Sequence, residues 1–238
     1  MFQVEIPSLT FFKKFLSTIR GKSEPGSSID KKASTDINNS FIDSEAIESL
    51  SRASIKIDEK FGLKSSGKCG ICVKAVEAEQ FKEMKEFIDK FLSIATTNKE
   101  KSDIDISYSS LIDEYGYLWF MLKGTKLEDL ISSISSIGDT IHEKGFSKQL
   151  LATIFEFTSG YQNDAFENNG GGSTRQYLIY NDKSDKFYPF VPVSDKSTDT
   201  SSKKRNHDQE IKLMEELSDE IMFEKDLSRW YPIWNIPF

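Results

Sequence analysis

The sequence predicts an α+β fold, a largely antiparallel sheet with helices packed on one face. Apolar residues recur at helical spacing in four stretches of the body, and β-branched or aromatic runs lie between them. Those runs come in pairs between segregated helices, whereas a parallel sheet requires strict strand–helix alternation. Composition agrees. Of 238 residues 37% are hydrophobic and 18 are Phe, enough for a sizeable core despite 29% charge.

The body spans residues 43–238 and is expected to be a single α+β domain. It opens at Asp43-Ser44, an N-cap with acidic residues in the first turn; Ile47, Leu50, Ser54, Ile57 and Phe61 follow at helical spacing up to Gly62. Gly67–Val76 reads as a buried strand, and Glu77–Ala95 as a helix with Phe81, Met84, Phe87, Ile88, Phe91 and Leu92 on one side. Ile104–Tyr108 is extended. Tyr115–Leu122 is an apolar strand entered through the turn-like Asp113-Glu114-Tyr115-Gly116. A third helix, Leu127–His142, turns Leu130, Ile131, Ile134, Ile137 and Ile141 inward and stops at Gly145. Leu150–Phe157 and Tyr177–Tyr180 are strands joined through a loop centred on 168–173, and Phe187–Pro192 reads as an edge strand because its prolines cannot donate to a ladder. Residues 194–210 lack aliphatic and aromatic side chains and read as loop, before a last helix over about Gln209–Phe223.

Three segments flank or close this body. Residues 1–20 read as an amphipathic helix in which Phe12, Phe15, Leu16 and Ile19 share a face beside Lys13, suited to an anionic membrane surface, to a partner or to docking on the body. Residues 21–42, rich in Ser, Gly, Asp, Asn and Lys, form a flexible tether. At the other end Arg229, Trp230, Tyr231, Pro232 and Trp234 crowd together. Termini are usually ragged and polar, so this tail either closes the domain, with Arg229 stacked on the aromatic rings, or presents a partner surface.

Charge and motifs narrow the function. A net charge of −7 with no concentrated basic face argues against nucleic acid, and the basic run Lys203-Lys204-Arg205 reads as solvated loop. No stretch nears the roughly 18 apolar residues of a membrane span, and residues 1–20 lack a secretory pattern. A cytoplasmic location is expected, with peripheral contact at the inner face of the membrane. Cys69-Gly70-Ile71-Cys72 is a CxxC, but in a strand residues three apart point to opposite faces, which favours structural cysteines over a redox or metal pair. The adjacent Asp113 and Glu114 suit a turn better than acid/base work, and Gly170–Ser173 lacks the lysine and strand–helix frame of a phosphate loop. No catalytic residue, cofactor site or metal site is expected, and the chain reads as an interaction protein.

Five segments carry a resemblance to a known family. Asp113-Glu114-Tyr115-Gly116-Tyr117-Leu118-Trp119 is followed by Gly145-Phe146-Ser147-Lys148-Gln149-Leu150-Leu151, then by Tyr177-Leu178-Ile179-Tyr180 and Phe187-Tyr188-Pro189-Phe190. The chain closes with Glu224-Lys225-Asp226-Leu227-Ser228-Arg229-Trp230-Tyr231-Pro232-Ile233-Trp234. In this order, over about residues 44–238, they resemble the PspA-associated protein family PspAB. The resemblance implies a non-enzymatic adaptor in phage-shock-type envelope stress, acting with PspA, which coats stressed membranes, or with the membrane protease HtpX. The chain differs from the family pattern in its long tether and in polar insertions near 159–176 and 194–210. The order of strands and helices is also similar to secretion-chaperone-like α+β folds, which bind peptide segments. That similarity implies the alternative of a peptide-binding module without membrane contact.

Overall fold

The computed structural model of the chain describes residues 44–97, 105–159, 175–193 and 203–238. The amphipathic segment 1–20, with Phe12, Lys13, Phe15, Leu16 and Ile19, the tether 21–42 and the loop at 168–173 lie outside the described residues.

Helix α1 (Ser44–Phe61) runs to Gly62, where a φ of +63° breaks the helix and the Gly62 amide bonds the Asp58 carbonyl at 2.8 Å. Strand β1 (Leu63–Lys74) follows, then α2 (Glu79–Thr97), the hairpin β2 (Ile106–Ile112) and β3 (Tyr117–Gly124), and α3 (Leu127–Glu143). Strands β4 (Leu150–Ser159), β5 (Arg175–Asn181) and β6 (Lys186–Phe190) complete one six-stranded antiparallel sheet in the order β2-β3-β1-β4-β5-β6. Strand β1 therefore lies inside the sheet between β3 and β4, although it comes first in the chain. Its pairing with β4 slips between Ser65 and Cys69, so β1 starts four residues ahead of the Gly67 start that its β-branched run suggests.

Helices cover one face. Leu50, Ile57, Met84, Ile88, Leu130, Ile134 and Ile141 meet Ile71, Phe120, Phe155 and Leu178 from the sheet, all at most 2% exposed. Helix α3 packs on the sheet with α1 and α2 beside it on the same face, and even its serines are buried. Ser135, Ser136 and Thr140 satisfy their hydroxyls on the carbonyls four residues back. At the rim, Arg52, Lys56 and Lys60 of α1 face Glu220, Asp219 and Glu216 at 3.0, 3.9 and 3.7 Å. Such exposed pairs add little to stability.

Two expectations need correction. Residues 194–210 were expected to be loop throughout, but β7 (Pro192–Val193) pairs with β8 (Lys204–Arg205) in a two-stranded ribbon. The last helix, α4 (His207–Leu217), starts earlier and stops sooner than Gln209–Phe223. Asn206 is its N-cap, accepting from the Gln209 amide at 3.0 Å. Past α4 the chain runs parallel to the sheet's last strand. The Phe187 amide donates to Met222 at 2.9 Å and the Glu224 amide to Phe187 at 2.8 Å. That pairing covers the β6 edge. The opposite edge, β2, pairs only with β3 within the described sheet.

Candidate functional site

The second face of the sheet carries a different set of residues. Because side chains alternate along a strand, Gly70 and Cys72 of β1, Trp119 and Met121 of β3, Ile154 of β4, Tyr177 and Ile179 of β5, and Tyr188 and Phe190 of β6 all point away from the helices. An antiparallel sheet often leaves such a face in water. Here the C-terminal residues Trp230, Ile233, Trp234, Ile236 and Phe238 lie across it as a strap.

Strap attachment begins at a buried charge cluster. Glu210, fully buried on α4, accepts from the Val191 amide at 2.8 Å and from Nε of Arg205 (3.0 and 2.9 Å), with Arg205 Nη2 2.9 Å away in the same ion pair. Through Nη1, Arg205 then donates to the Trp230 carbonyl at 2.7 Å, while its guanidinium lies 5.5 Å from the Phe190 ring. One arginine thus joins α4, the β6 surface and the start of the strap. A lone carboxylate at zero exposure is strongly unfavourable, and this pairing offsets that cost. Trp230 itself is 3% exposed and donates its indole N–H to the Glu224 carbonyl at 2.8 Å.

Beyond Trp230 the grip changes character. Tyr231 is 60% exposed, and its carbonyl accepts from the Tyr188 hydroxyl at 3.0 Å. Burial holds the Tyr188 phenol far above its ordinary pKa, so it stays a donor. Half-buried Trp234 meets Phe190 edge-on at 5.0 Å, with the Lys203 ammonium 5.9 Å from its ring and 3.1 Å from Asn235 Oδ1. Phe238 ends the strap over Gly70. A Cβ there would stand 2.8 Å from Phe238 Cε1 and 3.3 Å from the Phe120 carbonyl, so a side chain at this position would displace the ring.

Among the tail residues singled out from sequence, Trp230 is core, Trp234 lies on the sheet, and Tyr231 faces outward. Arg229 does not stack on the aromatic rings as expected; it reaches Glu224 and Asp226, both at 3.5 Å. The cations over aromatic rings here are Lys203, at Trp234, and Arg205, at Phe190, both from the run expected to be a solvated loop. Lysines hidden in polar runs and buried arginines share one composition, so nothing in that run announced them. A helix-start signal was nonetheless present in Asn206-x-x-Gln209.

The remaining motifs resolve into structure. Cys69 belongs to the helix-side core and Cys72 to the strap side, both buried and unbridged. Their side chains cannot meet without breaking the strand. Burial pushes the Cys69 thiol well up, and burial followed by the Asp113 charge pushes Cys72 up to about 12, so neither offers the thiolate that redox chemistry uses. Asp113 organises the β2–β3 turn. It accepts from the Tyr115 and Tyr117 amides and from the Trp119 indole, each at 2.9 Å. No group of three metal-ligating side chains occurs among the described residues. A second feature, an open depression of about 430 Å³, is lined by Ser147, Lys148, Leu150, Asp182 and Lys183. Burial, then the Asp185 charge, raises Asp182 to about 6 there.

The Asp113 turn, most of β5 and β6 and the first part of the strap come from the segments that carry the resemblance. The chain matches the family model of PspAB, PspA associated protein B, over residues 32–238. The chain belongs to the PspAB family. The PspAB match takes in the whole sheet, all four described helices and the strap. No curated protein and no solved structure matches the chain. No described helix is long and apolar enough to cross a membrane.

Proposed function

We propose that the chain is a non-enzymatic adaptor of an envelope-stress system, in which the α+β body binds a PspA-like coiled coil, an HtpX-like protease, or both. The family match over residues 32–238 carries this reading, since it joins the chain to proteins associated with PspA. The arrangement of the body supports it: the aromatic face ends in exposed Tyr231 and Arg229 rather than in a pocket with convergent catalytic groups. In this reading the 1–20 segment adds a weak, reversible contact with the membrane or the partner through Phe12, Lys13, Phe15, Leu16 and Ile19. The test is a pull-down of the tagged full-length protein from its own host, with and without envelope stress. Recovery of a PspA-like coiled coil or a membrane protease is the expected result, and recovery of neither contradicts the adaptor. Liposome flotation that does not change on deletion of residues 1–20 removes the membrane contact.

A chaperone-like peptide-binding module is the second reading. It is favoured by the β2 edge, a strand with no charged residue or proline in which Leu111 is 37% and Ile112 58% exposed. Failure to bind extended peptides counts against it.

A further inference from the structure

We propose that the outer sheet face is a binding site for an extended aromatic peptide segment of the protein partner. In the free chain its own residues 231–238 occupy the site, and the partner segment takes their place while Trp230 stays anchored. The proposal rests on the adaptor reading only for the partner's identity; the site itself follows from the geometry.

Attachment of the strap is divided at Trp230. Up to that residue the chain is held by buried contacts: the Arg205 bond to its carbonyl, the indole bond to Glu224 and 3% exposure. After it, the polar contacts are with a backbone carbonyl, which any peptide supplies, and with the exposed Lys203. The segment forms no helix or strand, and its Pro232 and Pro237 cannot donate to a ladder. All four of its apolar side chains, Ile233, Trp234, Ile236 and Phe238, are only half-buried. A region held this way opens at low cost relative to the core.

The face beneath is shaped in advance. Gly70 sits inside a central strand, where glycine is otherwise unfavourable, and its missing Cβ leaves the socket in which the Phe238 ring lies. Phe190, stacked on Tyr177 at 6.0 Å and braced by Arg205, offers an edge for one indole. Tyr188 is fixed as a donor to a main-chain carbonyl. The ligand that fits is therefore an extended segment with an aromatic residue for Phe190, an aliphatic residue near the middle and a terminal phenyl group for the Gly70 socket. The chain's own Trp234-Asn235-Ile236-Pro237-Phe238 is the pattern.

The test uses the full-length chain and a fluorescent peptide with the sequence of residues 231–238, followed by anisotropy. In the parent protein the attached strap competes with the added peptide. In Trp234→Ala/Phe238→Ala it competes poorly, so binding tightens by about ten-fold or more, as the competent fraction of the face rises. Adding Gly70→Val to that variant fills the socket and abolishes the gain. Should the double variant lose its cooperative melt, Phe238→Ala alone, which vacates only the socket, is titrated in its place. Equal affinity for parent and folded variant overturns the proposal, as does a gain that survives Gly70→Val. Purified components alone are used, so the titration reads the face. A peptide that binds while the pull-down recovers neither a PspA-like protein nor a membrane protease sinks only the adaptor reading.

Discussion

The two faces of the sheet are closed by different means. Against the helices the contacts are mainly aliphatic and Phe side chains, drawn from four helices and six strands and almost wholly dry. Against the strap they are aromatic, drawn from one stretch of coil, and several of the covering side chains remain half-exposed. The first closure is a continuous core whose loss ends the fold. The second is a cover fixed at one end by a buried ion pair, and it separates from the rest at Trp230. A face closed in this way is suited to exchange one occupant for another, which a helix-packed face is not.

Substitutions sharpen that contrast. Phe155→Ala, on the helix side and 1% exposed, should cost about 3–5 kcal/mol in urea unfolding, enough to threaten the fold. Arg205→Ala strands the buried Glu210 charge and releases the Trp230 carbonyl, with a loss of about 3 kcal/mol expected. Arg205→Met/Glu210→Leu should lose less than Arg205→Ala alone, because no charge is then left unpaired. Trp234→Ala should cost only about 1–2 kcal/mol, since its ring is half in water already. A Trp234→Ala loss as large as that of Phe155→Ala would erase the distinction between the faces.

The smallest effect concerns pH. Asp182 has its pKa raised by burial from 3.8 to about 6, so the folded chain holds this proton more tightly than the unfolded one. The stability it contributes is complete below about pH 4 and is lost as pH rises through about 6. Asp182→Asn should therefore stabilise the chain by about 1 kcal/mol at pH 8, after allowance for solvent screening, and change little at pH 4. The reverse order, read from paired thermal melts, contradicts the assigned cause.

The helix-side core was legible because periodicity alone points a residue inward. Leu130, Ile131, Ile134, Ile137 and Ile141, expected inside, are all at most 1% exposed. The strap was legible only in part. Its aromatic content required some cover, but no local pattern says that the cover is the back of the sheet, because contacts between Gly70 and Phe238 span most of the chain. Arg205 and Glu210 were invisible for a related reason: a charge is buried by its partner, and the partner pairing forms only once β8 and α4 are in place. CxxC misled least, because strand alternation already separates Cys69 from Cys72. Thiol labelling of the native chain should accordingly modify neither cysteine, and both should label after denaturation.

The central claim is that partners meet the strap side and not the helix side. Tyr231 and Ile55 are matched probes, 60% and 62% exposed on opposite sides of the sheet. A photo-crosslinking amino acid placed at each position in the full-length protein, in stressed host cells, tests the claim directly. The account predicts an adduct with a PspA-like coiled coil or HtpX-like protease from position 231 and none from position 55. An adduct from position 55 and none from 231 contradicts it.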